Sequence, residues 1–371
     1  MKPSVAFVAS AAAFSLLGLT GCSQGTPSGG SSPAGDNAAS ASVQQATGQA
    51  PAPFDSGTVH VAVVQQSGQG DYFQQYLNGT RKQAEALKMK LDVYDAQGDN
   101  AQQATQLDQA IASGVKGIVV RHGFPDTLCP GVNKAIDKGI KVVIYDVEIQ
   151  KCALRAVQTQ QSDAKMASLV LDQMAKDIGQ DKPVGYVNVA GIAPLDRRDA
   201  VWKEYLQKNS WTQKFKTGKY TNSSATDSAP MVDNALKSNA DVVAVYAPYD
   251  ELTKATLSAL EQNPDLKNKV KVYGADISTA DIELMSADGS PWVATGATDP
   301  NAIGAAVVRT LALNLAGQAK EGDKVDFPPI LVTSEMLRSK NIKNMDDLRK
   351  AEPALNISQV SSADWIPAVT F

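Results

Sequence analysis

Hydrogen-bonding, charged and aromatic side chains recur where the apolar, β-branched runs of this chain end. Gln66, Arg121, Asp146, Tyr249, Asp276 and Thr298 follow such runs, Arg198 follows "VNVAG" in a helical stretch, and Tyr72 and Phe73 begin another. Carboxylates accept hydrogen bonds and guanidinium groups donate them, so together they satisfy hydroxyl groups, which do both. Aromatic rings add an apolar face for the C–H side of a sugar ring. The residue types therefore predict a site for a small polyhydroxylated ligand.

Several of these side chains also have a purely structural interpretation. Asp250 and Asp276 lie where helix N-caps belong, since each follows an apolar run and precedes a helical pattern. We assign Asp250 to capping and keep Asp146 and Asp276 as ligand groups. A structural role, in the core, at the rim or in a surface ion pair, is an open alternative for Tyr72, Phe73, His122 and Arg121.

Sequence signatures of catalysis are scarce. The chain contains no H-E-x-x-H and no P-loop pattern, and it has 2 histidines, His60 and His122. Paired carboxylates leave glycoside hydrolysis as an alternative, which a flat progress curve on glycosides would exclude. We expect binding without chemistry, with no cofactor and no metal.

Strand-like runs alternate with amphipathic helical stretches and account for the placement of these residues. "VHVAVVQ", "LDVYDAQ", "GIVVRH" and "IKVVIYD" are separated by helical patterns, and a second series runs from "PVGYVNVAG" through "DVVAVYAP" and "KVYGAD" to "WVATGATD". This alternation predicts an α/β fold with two units, each a parallel sheet covered on both faces. Ligands of such sheets bind at the carboxyl ends of the strands, where the polar residues lie.

The N-terminal residues predict export and lipid attachment. Lys2 precedes an apolar run from Val5 to Leu19, which is too short for the ~20 residues that span a bilayer and fits a secretory signal. The tetrapeptide "LTGC" resembles the lipobox of bacterial lipoproteins, which predicts a signal peptide over 1–22 and a lipid on Cys22. The alternative is an ordinary signal peptide with a chance cysteine. Residues 23–56, rich in Ser, Gly, Ala, Pro, Gln and Thr, predict a flexible linker.

For the chain that follows the predicted linker, composition argues against nucleic-acid binding and against a membrane-spanning segment. The net charge is −4 and no Lys/Arg stripe occurs, which argues against nucleic-acid binding. No second run is long and apolar enough to cross a membrane. Cys129 and Cys152 form an even pair in an exported chain, and we expect a disulfide worth roughly 3 kcal/mol, with two buried free thiols as the alternative.

The order and spacing of several segments resemble the ribose-type periplasmic sugar-binding proteins of ABC importers, from residue 57 to about 333. The segments are "VAVVQQSGQGDYFQQYLNGTRKQAEAL", "QATQLDQAIASGVKGIVV", "GIKVVIYDVE", "AGIAPLDRRDAVWKEYL", "DVVAVYAPYDELTKATLSALEQ", "VYGADIS" and "ATGATDPNAIGAAVV". The resemblance implies a type I periplasmic binding protein, with two Rossmann-like lobes joined by a three-crossing hinge. It places the crossings near 159–162, 296–299 and 326–330. The implied lobes are 57–159 with 298–327 and 160–297 with 328–334, followed by a C-terminal extension over 335–371.

The resemblance also implies roles for individual residues. Asp146, Arg198 and Asp276 match the sugar-binding positions, and Tyr72 and Phe73 match the stacking aromatics. The chain departs from the ribose-binding pattern at the positions occupied by Val147, Asp196, Tyr249 and Thr298, which argues against ribose itself, while Arg121 leaves a sugar acid open.

The implied function is that of a lipid-anchored receptor that captures a small sugar or polyol and delivers it to an ABC permease. We expect an exported monomer, periplasmic or at the cell surface, that does not bind nucleic acid. The alternative is a sensor module that presents a bound sugar or sugar acid to a membrane receptor; neighbouring permease or receptor-kinase genes would distinguish the two. DNA-binding repressors share this core but need a helix-turn-helix ahead of it, where this chain has a signal and a linker.

Overall fold

A computed structural model of the protein describes residues 41–371. The predicted signal peptide, the predicted lipidation site Cys22 and the first part of the predicted linker lie outside the described residues. Within residues 41–371, no helix has both the length and the apolar character that crossing a membrane requires.

Fourteen strands and twelve helices make up the described chain. The strands are β1 (Ser42–Gln44), β2 (Val59–Gln65), β3 (Met89–Asp95), β4 (Gly117–Arg121), β5 (Lys141–Tyr145), β6 (Val157–Gln161), β7 (Pro183–Val187), β8 (Thr212–Thr217), β9 (Ala244–Ala247), β10 (Lys271–Ala275), β11 (Trp292–Ala297), β12 (Lys324–Phe327), β13 (Ile330–Thr333) and β14 (Ala368–Thr370). The helices are α1 (Asp71–Ala86), α2 (Asn100–Ala112), α3 (Pro125–Asp137), α4 (Asp163–Ile178), α5 (Ala193–Lys208), α6 (Ser224–Ser238), α7 (Asp250–Glu261), α8 (Pro264–Lys267), α9 (Thr279–Ser286), α10 (Pro300–Leu315), α11 (Ser334–Ser339) and α12 (Met345–Ala351).

Two six-stranded sheets form the two lobes. The N-terminal sheet has the order β12-β6-β5-β4-β2-β3 and is parallel throughout. The C-terminal sheet has the order β13-β11-β10-β9-β7-β8. Its strands are parallel except β13, which pairs antiparallel with β11. The predicted two-lobed α/β fold is confirmed, with one antiparallel edge strand added.

Alternate side chains of the buried strands pack into different cores, which explains why each sheet is covered on both faces. In β2, Val61 and Val63 pack with the core that contains residues of α1 and α10, while Ala62 and Val64 pack with the core of α2 and α3. Successive side chains of a strand point to opposite faces, so a strand with several consecutive apolar residues, such as 61–64 in β2, requires helices on both sides.

The chain crosses between the lobes three times at the hinge. The crossings are β6 to α4 through Ser162, β11 to α10 through residues 298–299, and β12 to β13 through residues 328–329. The predicted three-crossing hinge is therefore confirmed. The strand β13 enters the C-terminal lobe at the edge where β11 leaves it, with Ile330 opposite Ala297, and this explains its antiparallel direction.

The C-terminal extension connects the lobes a fourth time. Its residues Met345 and Leu348 belong to the core of the C-terminal lobe, whereas Ile357, Trp365 and Ile366 belong to the core of the N-terminal lobe. The extension therefore passes from one lobe to the other between α12 and its last residues.

The end of the predicted linker differs from the flexible segment expected there. Strand β1 pairs antiparallel with β14, with Ser42 opposite Thr370. The backbone N–H groups of Thr47 and Gly48 donate to Asp364 O over 2.8 and 2.9 Å. Backbone hydrogen bonds satisfy polar groups that a flexible segment would leave to water, so this part of the segment is ordered on the extension.

Cys129 in α3 and Cys152 in the loop after β5 are joined by a disulfide, with their Cα atoms 5.9 Å apart. This Cα separation lies within the range that a disulfide spans without backbone movement. The disulfide links the loop that follows Asp146 to helix α3.

Candidate ligand-binding site

A cavity lies between the lobes, at the carboxyl ends of their strands. We call it the central cavity. Its lining residues are Tyr72, Phe73, His122, Gln161, Ile192, Pro194, Leu195, Arg198, Tyr220, Tyr249 and Asp276. Five of the nine predicted ligand residues are among them: Tyr72, Phe73, Arg198, Tyr249 and Asp276.

Arg198 and Asp276 form the charged part of the lining. Arg198 on α5 donates from Nε to Asp163 Oδ1 over 2.7 Å, and from Nη1 to Pro248 O over 2.7 Å and to Asp276 Oδ2 over 3.3 Å. Asp276 Oδ1 is buried and has no hydrogen-bond partner among the described residues. It is therefore an acceptor available to a ligand hydroxyl.

Burial and charge compete in this pair. Burial raises the pKa of the Asp276 carboxyl, and Arg198 opposes the rise. Burial by itself would lower the pKa of Arg198, but Asp276 and Asp163 more than offset it and raise that pKa. The guanidinium is thus charged and is balanced by two carboxylates of its own lobe.

Asp276 is held in an unusual backbone conformation, with a φ of +72°. Residues other than glycine adopt positive φ infrequently, and such residues cluster at functional sites. Asp146, which follows β5 as Asp276 follows β10, has a φ of +53°. The two carboxylates therefore occupy equivalent positions in the two lobes.

Asp146 does not line the central cavity but lies next to it. Its Oδ1 accepts a hydrogen bond from Arg197 Nη2 over 2.8 Å, and its Oδ2 is buried and unpaired among the described residues. Burial, followed by the charge of Asp163, raises the pKa of Asp146 to about 7, against the opposing effect of Arg197. Oδ2 remains as an acceptor on the N-terminal lobe.

Aromatic side chains form the wall contributed by the N-terminal lobe. The hydroxyl groups of Tyr72 and Tyr145 are hydrogen-bonded to each other. The ring of Phe73 packs edge-on against the imidazole of His122, with 5.0 Å between the ring centroids. Burial lowers the pKa of His122 well below its usual value, with Arg121 adding to the effect, so the imidazole is neutral at pH 7.

Arg121 lies behind this wall instead of at the ligand, which corrects the prediction. It is fully buried, and its guanidinium carbon lies 4.9 Å from the centre of the Phe73 ring and 4.6 Å from that of Tyr76. Its Nε donates to Gln65 Oε1 over 3.1 Å and its Nη2 to Ser67 O over 2.8 Å. Arg121 is therefore not among the lining residues of the central cavity and is not in a surface ion pair; it supports Phe73 through cation–π contact.

Gln66 and Thr298 are likewise displaced from the predicted role. Gln66 Oε1 accepts a hydrogen bond from the hydroxyl of Tyr220, a lining residue, over 3.2 Å. Thr298 donates to Oε1 of Gln161, another lining residue, over 2.6 Å. Both residues position a neighbour that faces the cavity.

The N-cap assignments of the acidic residues are also corrected. Tyr249, not Asp250, is the N-cap residue of α7, and Ser278 caps α9 with its side chain. Asp250 lies in the first turn of α7 and pairs with Lys254 Nζ over 3.2 Å.

Contacts around the rim join the lobes and enclose the cavity. Asn222 Nδ2 donates to Gln97 O over 2.6 Å, and Lys254 Nζ lies 3.1 Å from Asp71 Oδ2. Both contacts run from the C-terminal lobe to the N-terminal lobe. The lobes therefore adopt a closed arrangement around the site.

Sequence reasoning missed six residues of the cavity or its edge. They are Gln161, Ile192, Pro194, Leu195 and Tyr220 in the lining, and Arg197, which contacts Asp146 and Asp163. Gln161 ends a hinge strand, a position that the predicted crossing identified. No comparable signal marked the apolar residues, because in a sequence they look like core.

Comparisons with known proteins agree with this geometry. The family described as periplasmic binding protein domain matches residues 61–319. The ribose import binding protein of Escherichia coli is 26% identical over 269 residues, covering 71% of this chain and 86% of its own length.

Solved structures extend the match. A 5-methylthioribose transporter solute binding protein from Thermotoga lettingae, in complex with 5-methylthioribose, is 35% identical with a TM-score of 0.80, over 86% of this chain and 98% of its own. A sugar ABC transporter protein from Yersinia enterocolitica is 28% identical with a TM-score of 0.79, over 84% and 94% of the two chains. The fold, the cleft and these matches together show that the chain belongs to the family of periplasmic binding proteins.

Proposed function

We propose that the protein is the substrate-binding component of an ABC importer, which captures a small sugar or polyol between its lobes and delivers it to the permease. The observation that carries the proposal is the central cavity, which is lined by Arg198, Tyr72, Phe73 and Asp276. One buried carboxylate oxygen of Asp276 has no hydrogen-bond partner among residues 41–371. Like its family, the protein binds its ligand without catalysing a reaction.

Binding and closure are coupled by the position of these groups. Asp276 and Arg198 belong to the C-terminal lobe, and Tyr72 and Phe73 to the N-terminal lobe. A ligand gains contacts with both sets only when the lobes are together, so it shifts the population towards the closed form. The permease can thereby distinguish the ligand-bound protein by its closed conformation.

The charges around the cavity favour an uncharged ligand. Arg198, the cationic side chain of the lining, is paired with Asp163 and Asp276, and Arg121 lies behind Phe73. A carboxylate on the ligand would have to compete with two buried carboxylates for one guanidinium. This arrangement supports a neutral sugar or polyol over the sugar acid that Arg121 had left open.

Isothermal titration calorimetry with ribose, xylose, 5-methylthioribose, myo-inositol and ribonate tests the proposal. At least one neutral compound should bind, and Asp276→Asn should weaken it by about ten- to a hundredfold, because hydrogen bonds to charged groups contribute roughly 1.5–3 kcal/mol. Asp241→Asn, at a half-exposed surface carboxylate of the same lobe, is the matched control. Failure of every neutral compound to bind, or tight binding of ribonate alone, would contradict the proposal.

We also propose that the protein acts at a membrane surface, attached through lipid on Cys22. The family is exported and periplasmic, and "LTGC" supports the anchor. Acyl chains contribute about 0.8 kcal/mol per buried CH₂, so two chains hold a soluble body stably on a membrane. Cys22→Ser should release the protein from the membrane fraction; a variant that stays with the membranes would refute the anchor.

A further inference from the structure

We propose that five lysines at one end of the N-terminal lobe dock this lobe on a membrane surface of anionic phospholipid. We call them the basic edge; they are Lys88, Lys90, Lys116, Lys138 and Lys141. The inference goes beyond ligand capture, because it concerns how the protein is oriented at a membrane. It holds with or without a lipid on Cys22.

Backbone pairing brings these lysines to one edge of the N-terminal sheet. Lys141 N donates to Lys116 O over 3.0 Å, and Lys116 N donates to His60 O over 2.8 Å. His60 is in turn the register partner of Lys90. Neighbouring strands lie about 4.8 Å apart. Lysines that are far apart in the sequence therefore form one row across β5, β4, β2 and β3.

Two turns extend this row. Lys88 immediately precedes β3, and Lys138 is the C-cap residue of α3, just before β5 begins at Lys141. All five lysines of the basic edge are exposed. Their ammonium groups are therefore available to a partner at the end of the lobe where the strands begin.

Carboxylates close to the basic edge are paired with other cations. These pairs are Glu85 with Lys82 over 4.0 Å, Asp92 with His60 over 2.7 Å, and Asp137 with Arg155. Within residues 41–371, none of the five lysines has a carboxylate oxygen within 4.0 Å. The protein itself thus leaves the positive charge of the basic edge without ion pairs.

The charge of the whole chain has the opposite sign. The net charge is −4 although this end of the N-terminal lobe is basic. An anionic surface therefore repels the protein as a whole and attracts this end of it. Such an uneven distribution of charge favours docking in one orientation.

The N-terminal chain joins the described fold beside the basic edge. Ala41 and Val43 lie in one groove with Lys82 and Lys88, at the C-terminal end of α1. The predicted lipidation site, Cys22, precedes Ala41 by 19 residues. Each lysine near an anionic surface strengthens binding about fivefold, and an acyl chain with a basic patch is a combination that holds proteins stably on membranes.

Docking through this edge leaves the ligand cleft accessible. The strands of the N-terminal sheet are parallel, so their carboxyl ends, which border the central cavity, lie at the opposite end of the lobe from the basic edge. The cleft and the C-terminal lobe are consequently directed away from the lipid. We expect the affinity for the ligand to be the same in the docked and the free protein.

Vesicle co-sedimentation tests the inference on residues 23–371, which lack the predicted signal peptide and any lipid but contain every described residue. At about 0.1 M salt, the protein should bind vesicles of equal parts phosphatidylcholine and phosphatidylglycerol but not vesicles of phosphatidylcholine alone. In about 1 M salt, where the Debye length falls from about 10 Å to about 3 Å, binding should be lost.

Two matched double variants locate the surface. Lys116→Glu with Lys141→Glu should weaken binding to the anionic vesicles by at least about tenfold. The control is Lys269→Glu with Lys271→Glu, since Lys271 begins β10 as Lys141 begins β5 and all four lysines are exposed. The carboxyl ends of both sheets meet at the cavity, so the control lies at the opposite end of the molecule and should weaken binding by less than about threefold. Equal melting temperatures show that both variants remain folded.

Three results would overturn the inference. They are no binding to the anionic vesicles, an equal loss of binding in the two double variants, and binding to soluble polyglutamate without binding to vesicles, which would indicate an acidic protein partner instead of lipid. Each leaves the proposed function intact, because calorimetry should show unchanged ligand affinity in both double variants. Failure of every neutral sugar to bind would instead refute the proposed function and not the docking surface.

Discussion

Arg197 of the C-terminal lobe donates a hydrogen bond to Asp146 of the N-terminal lobe over 2.8 Å, and its Nε donates to Asp163 at the hinge over 2.7 Å. One guanidinium therefore joins the two lobes directly beside the central cavity. Asp146 and Asp163 have fully buried side chains, so the two ion pairs that they form with Arg197 lie in a region of low dielectric. Closure thus depends on protein charges as well as on ligand contacts.

Removing this guanidinium should favour the open form. In Arg197→Ala, closure would bury the Asp146 carboxyl without its guanidinium partner, so we expect ligand affinity to fall by about ten- to a hundredfold. Small-angle scattering should show a larger radius for the variant at a ligand concentration that closes the wild type. Arg155→Ala, which removes an exposed ion pair within the N-terminal lobe, is the control. Equal affinity and radius in Arg197→Ala would mean that the pair does not contribute to closure.

The rule that ligands bind at the carboxyl ends of parallel strands located part of the site, because it depends only on the direction of the chain. Asp276 directly follows a parallel strand, and parallel strands end at the same edge of a sheet. The rule failed for Arg121, which ends its strand at that edge but has its side chain held between Phe73 and Tyr76. Side-chain direction at a strand end is decided by packing, which periodicity does not encode.

The apolar lining residues and the pairing of strands far apart in the sequence were the hardest features to predict. Leu195 faces the cavity, yet a leucine in an amphipathic helix is indistinguishable in sequence from a core residue. Strand β1 is too short to give a pattern, and its partner Thr370 is 328 residues from Ser42. Such pairing follows from the assembled lobes and not from any local signal.

The disulfide should stabilise the N-terminal lobe. Cys129 and Cys152 are 23 residues apart, and a loop of that length corresponds to about 3 kcal/mol in the chain-entropy account. Replacing both with alanine should lower the free energy of unfolding by about this amount in a urea titration. The wild type should become equally unstable in reductant, whereas the double variant should not respond. Two titratable thiols in the oxidised, denatured protein with Cys22 replaced would contradict the bridge.

Mild acid should stabilise the folded protein through the buried carboxyl of Asp281, which lies beside Lys254. Lys254 Nζ lies within 3.2 Å of Asp281 Oδ1, and burial raises the pKa of Asp281 to about 6 despite this contact. The unfolded carboxyl titrates near its model-peptide value, so between about pH 4 and 6 the folded state binds more protons than the unfolded state. This contribution is therefore present at low pH and lost as pH rises through 6.

Urea titrations at several pH values between 4.5 and 7.5 measure this contribution. Asp281→Asn keeps the size of the side chain but does not titrate, so its stability should vary less with pH than that of the wild type, by about 2 kcal/mol over the range. Asp265→Asn, at a surface carboxylate of α8, should follow the wild-type profile. Parallel profiles for the wild type and Asp281→Asn would show that Asp281 does not titrate in this range.

Arg349 of the C-terminal extension pairs with Asp299 through two hydrogen bonds, from Nε to Oδ2 over 2.8 Å and from Nη2 to Oδ1 over 3.1 Å. Asp299 also caps α10 at the hinge, and its side chain is almost fully buried. Arg349→Met should therefore cost about 3–5 kcal/mol of unfolding free energy, because it leaves a buried charge unpaired. Asp299→Asn in addition should recover at least about 1 kcal/mol, since asparagine caps helices well and carries no charge. If the two costs simply add in urea titrations of the single and double variants, the extension does not stabilise the hinge through this pair.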